Sequence, residues 1–232
     1  MSSERQMRFD PALIAGLDEP VRRYFTHALV TGCRLGAGVQ LEMSGRIKVG
    51  AWLTFDAEWR GNGHSFRWGA RAGPLKLLRV VDCYSDGAAS MDVRLSGRLK
   101  LMHVDDDETA RSGAVRAAIE GAVWSPASLL PAHGVKWRAE SDDLIVANWD
   151  VPPEHPEVKL RIDGNGAINS AGVMRWDNRG RGEHGYRPFG AIVHEERRFG
   201  DLVMPSELTV GWGFETPGWD PFFEAKILAA TT

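Results

Sequence analysis

In segment after segment of this chain, apolar and polar residues alternate with a period of two. Val39, Leu41, Met43, Ile47 and Val49 interleave with Gln40, Glu42, Ser44, Arg46 and Lys48, as a strand with one wet face requires. The same pattern returns at Leu53, Phe55, Ala57 and Trp59, then Phe66, Trp68 and Ala70, then residues 75–81, then Met91, Val93 and Leu95. Gly61-Asn62-Gly63 and Asp86-Gly87 mark tight turns between them, since these residue types tolerate positive φ. Such an order of short amphipathic strands predicts an antiparallel meander.

Two stretches break the period. Residues 11–30 place Leu13, Ile14, Leu17, Val21, Tyr24, Phe25, Ala28 and Leu29 on one helical stripe, with Asp18 as N-cap and Pro20 in the first turn. Residues 109–124 carry Ala114, Val115, Ala118, Ile119, Ala122 and Val123 on one face, and 125–131 predict a second short helix begun by Pro126. Acidic residues 105–108 favour the positive end of that helix. Strand signals then resume over 135–230, through Val135, Trp137, Ala139; Ile145, Ala147, Trp149; Val158, Leu160, Ile162; 173–176; 191–199; Leu208, Val210, Trp212, Phe214; and 222–228. Asp163-Gly164-Asn165-Gly166 and Phe199-Gly200-Asp201 predict hairpin turns, and Pro152-Pro153 a loop or edge.

The expected fold is α+β. One domain spans 1–232: a flexible N-terminus over 1–10, a helix over 11–30, a first strand block over 39–104, a helical insertion over 109–131 and a second strand block over 135–230. A strongly curved antiparallel half-barrel, with its helices over the concave face, satisfies this order. A chain of 232 residues is long enough to bury a substantial core without staples. Nine tryptophans set in alternating segments predict an aromatic-lined cavity between sheet and helices, because indole packs well but is rarely buried completely.

Charge narrows the partners. The 28 basic and 31 acidic residues give a net charge of -3 and are interspersed, so no broad positive field exists to hold nucleic acid. No run reaches the roughly 18 apolar residues of a membrane span, and the polar start lacks the apolar core of an export signal. Cys33 and Cys83 are too few for a disulfide framework. The expectation is a cytoplasmic protein.

Several short stretches resemble the recurring landmarks of a bacterial family classified as a domain of unknown function. They are Leu17-Asp18-Glu19-Pro20-Val21-Arg22-Arg23-Tyr24-Phe25, Phe66-Arg67-Trp68-Gly69-Ala70-Arg71, Trp124-Ser125-Pro126-Ala127-Ser128-Leu129-Leu130-Pro131, Arg187-Pro188-Phe189-Gly190 and Val203-Met204-Pro205. The order of elements also resembles the half-barrel of the periplasmic lipoprotein carriers LolA and LolB, shared by VioE, a cofactor-free enzyme of pigment biosynthesis. The resemblance implies two rival uses of one cavity, carrying a greasy ligand or turning over a small one. The absence of a visible export signal separates this chain from the carriers.

Cofactor and metal motifs are absent or out of context, so none is expected. Residues 180–185 spell G-x-G-x-x-G but precede a strand, not the helix a pyrophosphate needs. The histidines form no HExxH, residues 105–107 lack the rest of a calcium loop, and no GxSxG occurs. What remains is acid–base groups on apolar strand faces. Glu195 and Arg197 are in phase with Ala191, Val193 and Phe199; Asp82 is in phase with Leu78 and Val80; Arg71 closes the strand begun by Phe66 and Trp68. A desolvated carboxylate moves protons and an arginine holds an oxyanion. His184, in the glycine-rich loop, and His194 are candidate shuttles. A structural ion pair or a solvated side chain is the plainer reading of each. Trp68, Trp124, Trp137, Trp212, Phe66 and Phe214 are the candidate substrate-binding wall, or core filler.

Two functions are expected from these residues: a cofactor-independent isomerase, lyase or cyclase acting on a small, mostly apolar molecule, or a non-catalytic carrier or sensor of a hydrophobic ligand. A third use, as an interaction protein, would need a flat patch of exposed tryptophans. Substrate and oligomeric state are not written in the sequence.

Overall fold

A computed structural model describes residues 8–35, 38–179 and 184–232. The first strand block forms β1 (Val39–Val49), β2 (Ala51–Gly61), β3 (Phe66–Ala72), β4 (Leu78–Ser85), β5 (Ala88–Leu95) and β6 (Leu99–Val104). The second forms β7 (Lys136–Ala139), β8 (Leu144–Asn148), β9 (Glu157–Ile162), β10 (Ile168–Asp177), β11 (Gly185–Phe199), β12 (Leu202–Trp212) and β13 (Asp220–Thr231). All thirteen join one sheet in the order β6-β5-β4-β3-β2-β1-β13-β12-β11-β10-β9-β8-β7. Each block is an antiparallel meander, and β1 pairs with β13, so the two ends of the chain meet in the middle of the sheet. β6 and β7 are its two edges, and among the described residues no pairing joins them. The architecture is therefore a single open antiparallel sheet with two helices, not a strongly curled one.

Turn chemistry fixes the register of the first meander. Asp86 and Gly87 both take positive φ, at 51° and 85°, the two left-handed residues of the hairpin turn that matches strand twist. The strand expected from residue 75 begins instead at Leu78. Leu75 and Lys76 take φ of 52° and 53° in a short 3-10 turn, which removes them from the ladder and leaves Leu75 exposed.

The first helical stretch is divided at Pro20 as its spacing predicts, into a 3-10 turn (Pro11–Ile14) and α1 (Glu19–Ala28). Asp18 precedes α1 but does not cap it. Its carboxylate accepts a hydrogen bond from the Ala139 backbone N–H at 2.7 Å and so ties the helix to β7. Asp106 does cap α2 (Asp107–Trp124), accepting from the Thr109 N–H at 2.8 Å.

The six residues expected on the apolar stripe of α2 are buried, but the buried surface extends beyond that stripe. Ser112, Gly113, Ala117 and Gly121 are buried along with the apolar face, so the helix is enclosed on most sides. Its small residues allow the close approach. A Cβ on Gly121 would stand 2.2 Å from Gly63 Cα, and one on Gly113 would stand 2.9 Å from Ala89 Cβ. α2 packs against β2, β4 and β5 of one half of the sheet and β9, β10 and β12 of the other. No helix among the described residues is long and apolar enough to cross a membrane.

Candidate functional site

Where α2 meets the sheet, four charged side chains gather among aromatic rings. Arg116, on α2, donates through Nη1 to Asp82 of β4 and through Nε to Glu120 at 2.6 Å, one turn along the same helix. Glu120 accepts a second hydrogen bond from Trp59 Nε1 of β2 at 2.6 Å. The three ionic side chains are 15, 10 and 17% exposed for Arg116, Asp82 and Glu120, low enough that each needs its partners. Arg175 of β10 completes the set from the other half of the sheet, its Nε donating to both the carbonyl and the hydroxyl of Ser112 at 3.1 Å.

The two arginines are held differently. Burial works against the Arg116 charge, but Glu120 and Asp82 outweigh it and its pKa is raised. Among the described residues no carboxylate is bonded to Arg175. Burial, reinforced by the nearby positive charge of Arg116, pushes it down to about 10. An anionic or hydrogen-bond-accepting group placed beside Arg175 would relieve that cost.

Aromatic rings wall the cluster. The Arg116 guanidinium lies 4.4 Å from the Phe66 ring and 5.7 Å from Trp68. Arg175 lies 4.6 Å from Phe189 and 5.4 Å from Trp212, cation–π distances. The indole N–H groups of Trp68 and Trp212 are buried without a hydrogen-bond partner among the described residues. A buried indole normally finds one, so each has an unused donor on the helix side of the sheet.

Of the six acid–base candidates, only Asp82 belongs to this cluster. Glu195 and Arg197 are exposed, because the β11–β12 ladder is irregular between Val193 and Glu196. A bulge of this kind reverses the in/out phase beyond it. The side chain brought to the inner side is Glu196, which bonds His27 Nε2 at 2.8 Å and the Ile168 N–H at 2.9 Å. Arg71 is exposed, one residue out of phase with Trp68 and Ala70. His194 is exposed on β11 and bonds the Thr209 hydroxyl at 2.8 Å. His184 pairs with Glu108 at the start of α2, at 2.7 Å. Residues 180–183 of the glycine-rich motif lie outside the described residues.

The aromatic candidates divide likewise. Trp68, Trp212 and Phe66 wall the cluster. Trp124 packs edge-on against Trp59 and donates to the Pro205 carbonyl at 3.3 Å. Trp137, on β7, packs against Tyr24 and Phe25 of α1, its Nε1 donating to the Leu129 carbonyl at 2.8 Å. Phe214 lies beyond the end of β12 and covers Gly172 and Gly190, on the face opposite Val173 and Phe189. The aromatic-lined hollow expected between the layers is filled: side chains such as Trp59, Tyr84, Phe55 and Leu129 occupy it, and α2 sinks onto them through its alanines and glycines. Two hollows, of about 260 and 190 Å³, lie instead beside His64 and His133.

The charged residues of α2 and β10 escaped sequence reading. Arg116 and Glu120 are spaced i, i+4, as a solvated salt bridge on any helix would be. The available signal was the density of alanine and glycine around them, which marks a helix with little room on any side.

The chain resembles solved structures at low identity. A LolA superfamily protein from Nitrosomonas europaea matches with a TM-score of 0.50 at 7% identity over 91% of each chain. A DUF1329 family protein from Desulfovibrio piger matches at 0.48 and 10% identity, over 96% of this chain and 93% of that one. The first likeness establishes a LolA-like fold and nothing about activity. No curated protein matches. Residues 7–225 match the family of unknown function DUF6544, and this chain belongs to that family.

Proposed function

We propose that the protein is a non-catalytic binder of an amphipathic molecule, whose apolar body lies on the aromatic inner face of the sheet and whose acceptor-bearing head meets Arg175, Arg116 and the indole N–H groups of Trp68 and Trp212. We read the sheet as cupped around α2, with that helix over the concave side; its packing against strands of both halves supports this. The observation that carries the proposal is the pair of buried, unpartnered indole donors flanking the two arginines. Donors left without acceptors inside a protein cost roughly 1–3 kcal/mol each, and a ligand acceptor recovers that energy. Since side chains fill the interface, admitting a ligand there requires α2 to part from the sheet.

The acid–base enzyme is the weaker reading. A proton-transfer site needs its groups on one ligand. Of Glu195, Asp82, His184, Arg71, Arg197 and His194, only Asp82 is in the cluster, and it is engaged by Arg116. The interaction-protein reading has less support still, since Trp52 is the single exposed tryptophan of the nine.

The test is native mass spectrometry of protein purified without detergent, followed by titration of delipidated protein with a long-chain fatty acid monitored by tryptophan fluorescence. A stoichiometric adduct and a saturable spectral change are expected. Trp68→Phe and Trp212→Phe keep a ring but remove the N–H, and each should weaken binding about threefold to tenfold. Absence of both adduct and saturable change overturns the proposal.

A further inference from the structure

The two hollows lie apart from the charged cluster and are formed by different residues. The larger, about 260 Å³, is lined by His64, His133, Gly134, Lys136, Asn148, Trp149 and Asp150. The smaller, about 190 Å³, shares His64 and His133 and adds Asn62 and Ser128. The chain brings them together from three places. His64 follows the tight Gly61-Asn62-Gly63 turn between β2 and β3, His133 ends the 3-10 turn Pro131–His133, and Trp149 follows β8. Trp149 Nε1 donates to the Gly63 carbonyl at 3.1 Å, and the Asn62 side chain accepts from the His64 and Ser65 N–H groups at 3.0 and 2.9 Å. Those bonds fix the His64 loop against the wall of the hollow.

The charge around this space is one-sided. The titratable groups that line it are His64, His133, Lys136 and Asp150. Asp150 is the single carboxylate among the described lining residues, and it is turned outward: its Oδ1 bonds His155 Nδ1 at 2.7 Å, with both side chains largely exposed. His133 Nε2 is buried without a hydrogen-bond partner. Two imidazoles and an ammonium therefore face a polar space with no inward carboxylate to balance them. Burial, and then the neighbouring His133, lower the pKa of His64 against an opposing hydrogen bond with the Asp150 backbone, so a charge on His64 is disfavoured here until a negative charge arrives.

We propose that this hollow is a binding site for a small oxyanion-bearing molecule, a phosphate or carboxylate, received by His133, His64 and Lys136. The larger hollow alone has room for about nine waters at liquid density, more than a bare oxyanion fills, so the site accommodates an organic body against Trp149. By linkage, an anion that favours the protonated form of His64 binds more tightly as pH falls. Asp150 and His155 are paired with each other at the rim.

The test follows the seven histidines by imidazole NMR in the full chain, during titration with inorganic phosphate and acetate and then with phenyl phosphate and benzoate, which carry an aromatic body. The expected result is a saturable shift confined to His64 and His133, with tighter binding of the aromatic probes and of all probes at lower pH. Binding by the bare ions as tight as by the aromatic probes would assign the site to free inorganic ions or acetate, and overturn the organic-ligand part of the proposal. Lys136→Met, an exposed substitution that leaves the fold intact, should weaken binding by about tenfold, and His133→Gln by at least as much. Linear, unsaturated shifts spread over His27, His103, His155, His184 and His194 as well, or unchanged affinity in Lys136→Met, would overturn the site.

Discussion

Asp82 on β4 and Arg116 on α2 are joined by an ion pair with only 10 and 15% of their side chains exposed, which couples the helix to the third strand from the sheet edge. Removing one partner of such a pair leaves the other charge buried without compensation. Glu120 still holds Arg116, which limits the damage. Asp82→Ala should therefore cost about 2–3 kcal/mol in urea unfolding. The triple variant Asp82→Leu, Arg116→Met and Glu120→Gln should recover most of that loss, because no charge is then left buried without a partner and the introduced amide can still accept from Trp59 Nε1.

Arg175 should behave in the opposite way. Burial and Arg116 hold its pKa down to about 10, below the usual guanidinium range, so carrying the charge at neutral pH opposes folding. The folded state releases the proton more readily than the unfolded one. The cost is therefore present in full below pH 10 and is relieved as pH rises above it. Arg175→Met should leave stability unchanged or raise it by about 1 kcal/mol at pH 7, while weakening ligand binding. Differential scanning calorimetry beside a fatty-acid titration separates the two effects.

Helix α2 should not tolerate a single methyl group where it meets the β2–β3 turn. Alanine is favoured over glycine in a helix by about 1 kcal/mol, yet a Cβ on Gly121 would stand 2.2 Å from the Gly63 backbone. Overpacking of that kind costs about 1–3 kcal/mol. Gly121→Ala should be destabilising by chemical denaturation.

Acid should loosen the start of the same helix. The hydrogen bond from the Thr109 hydroxyl, and then that from its backbone N–H, hold the Asp106 carboxyl below the usual carboxylate range. A lowered folded-state pKa contributes stability above the unfolded value that is lost as pH falls through the folded one. Protection of the Thr109 amide against hydrogen exchange, taken relative to its intrinsic rate, should fall below about pH 4. Asp106→Ala should remove that pH dependence and cost about 1 kcal/mol.

The sheet was legible in the sequence because alternation and turn chemistry are local. Asp86-Gly87 and the Val39–Val49 pattern specify strand and turn without reference to anything distant. The site was less legible. Period-two counting carries a phase along a strand, and the irregularity between Val193 and Glu196 breaks that phase, so Glu195 and Arg197 point to water while Glu196 takes the inner position. Asp82 lies on an unbroken strand and its inward phase held. Arg116 and Arg175 gain meaning only because α2 lies between β4 and β10, a proximity set by strand order across the whole sheet. The cavity expectation failed for a related reason: the width of the indoles was counted, but not how deeply an alanine- and glycine-rich helix would sink among them.

The account rests on α2 parting from the sheet to admit a ligand, and a reversible covalent lock tests this. Gly113 and Ala89 face one another across the α2–β5 interface, with a Cβ on Gly113 falling 2.9 Å from Ala89 Cβ, close to disulfide range once the backbones ease apart slightly. In Gly113→Cys with Ala89→Cys, fatty-acid binding measured by tryptophan fluorescence should be lost on oxidation and return on reduction. Equal binding in the two redox states would contradict entry beneath α2.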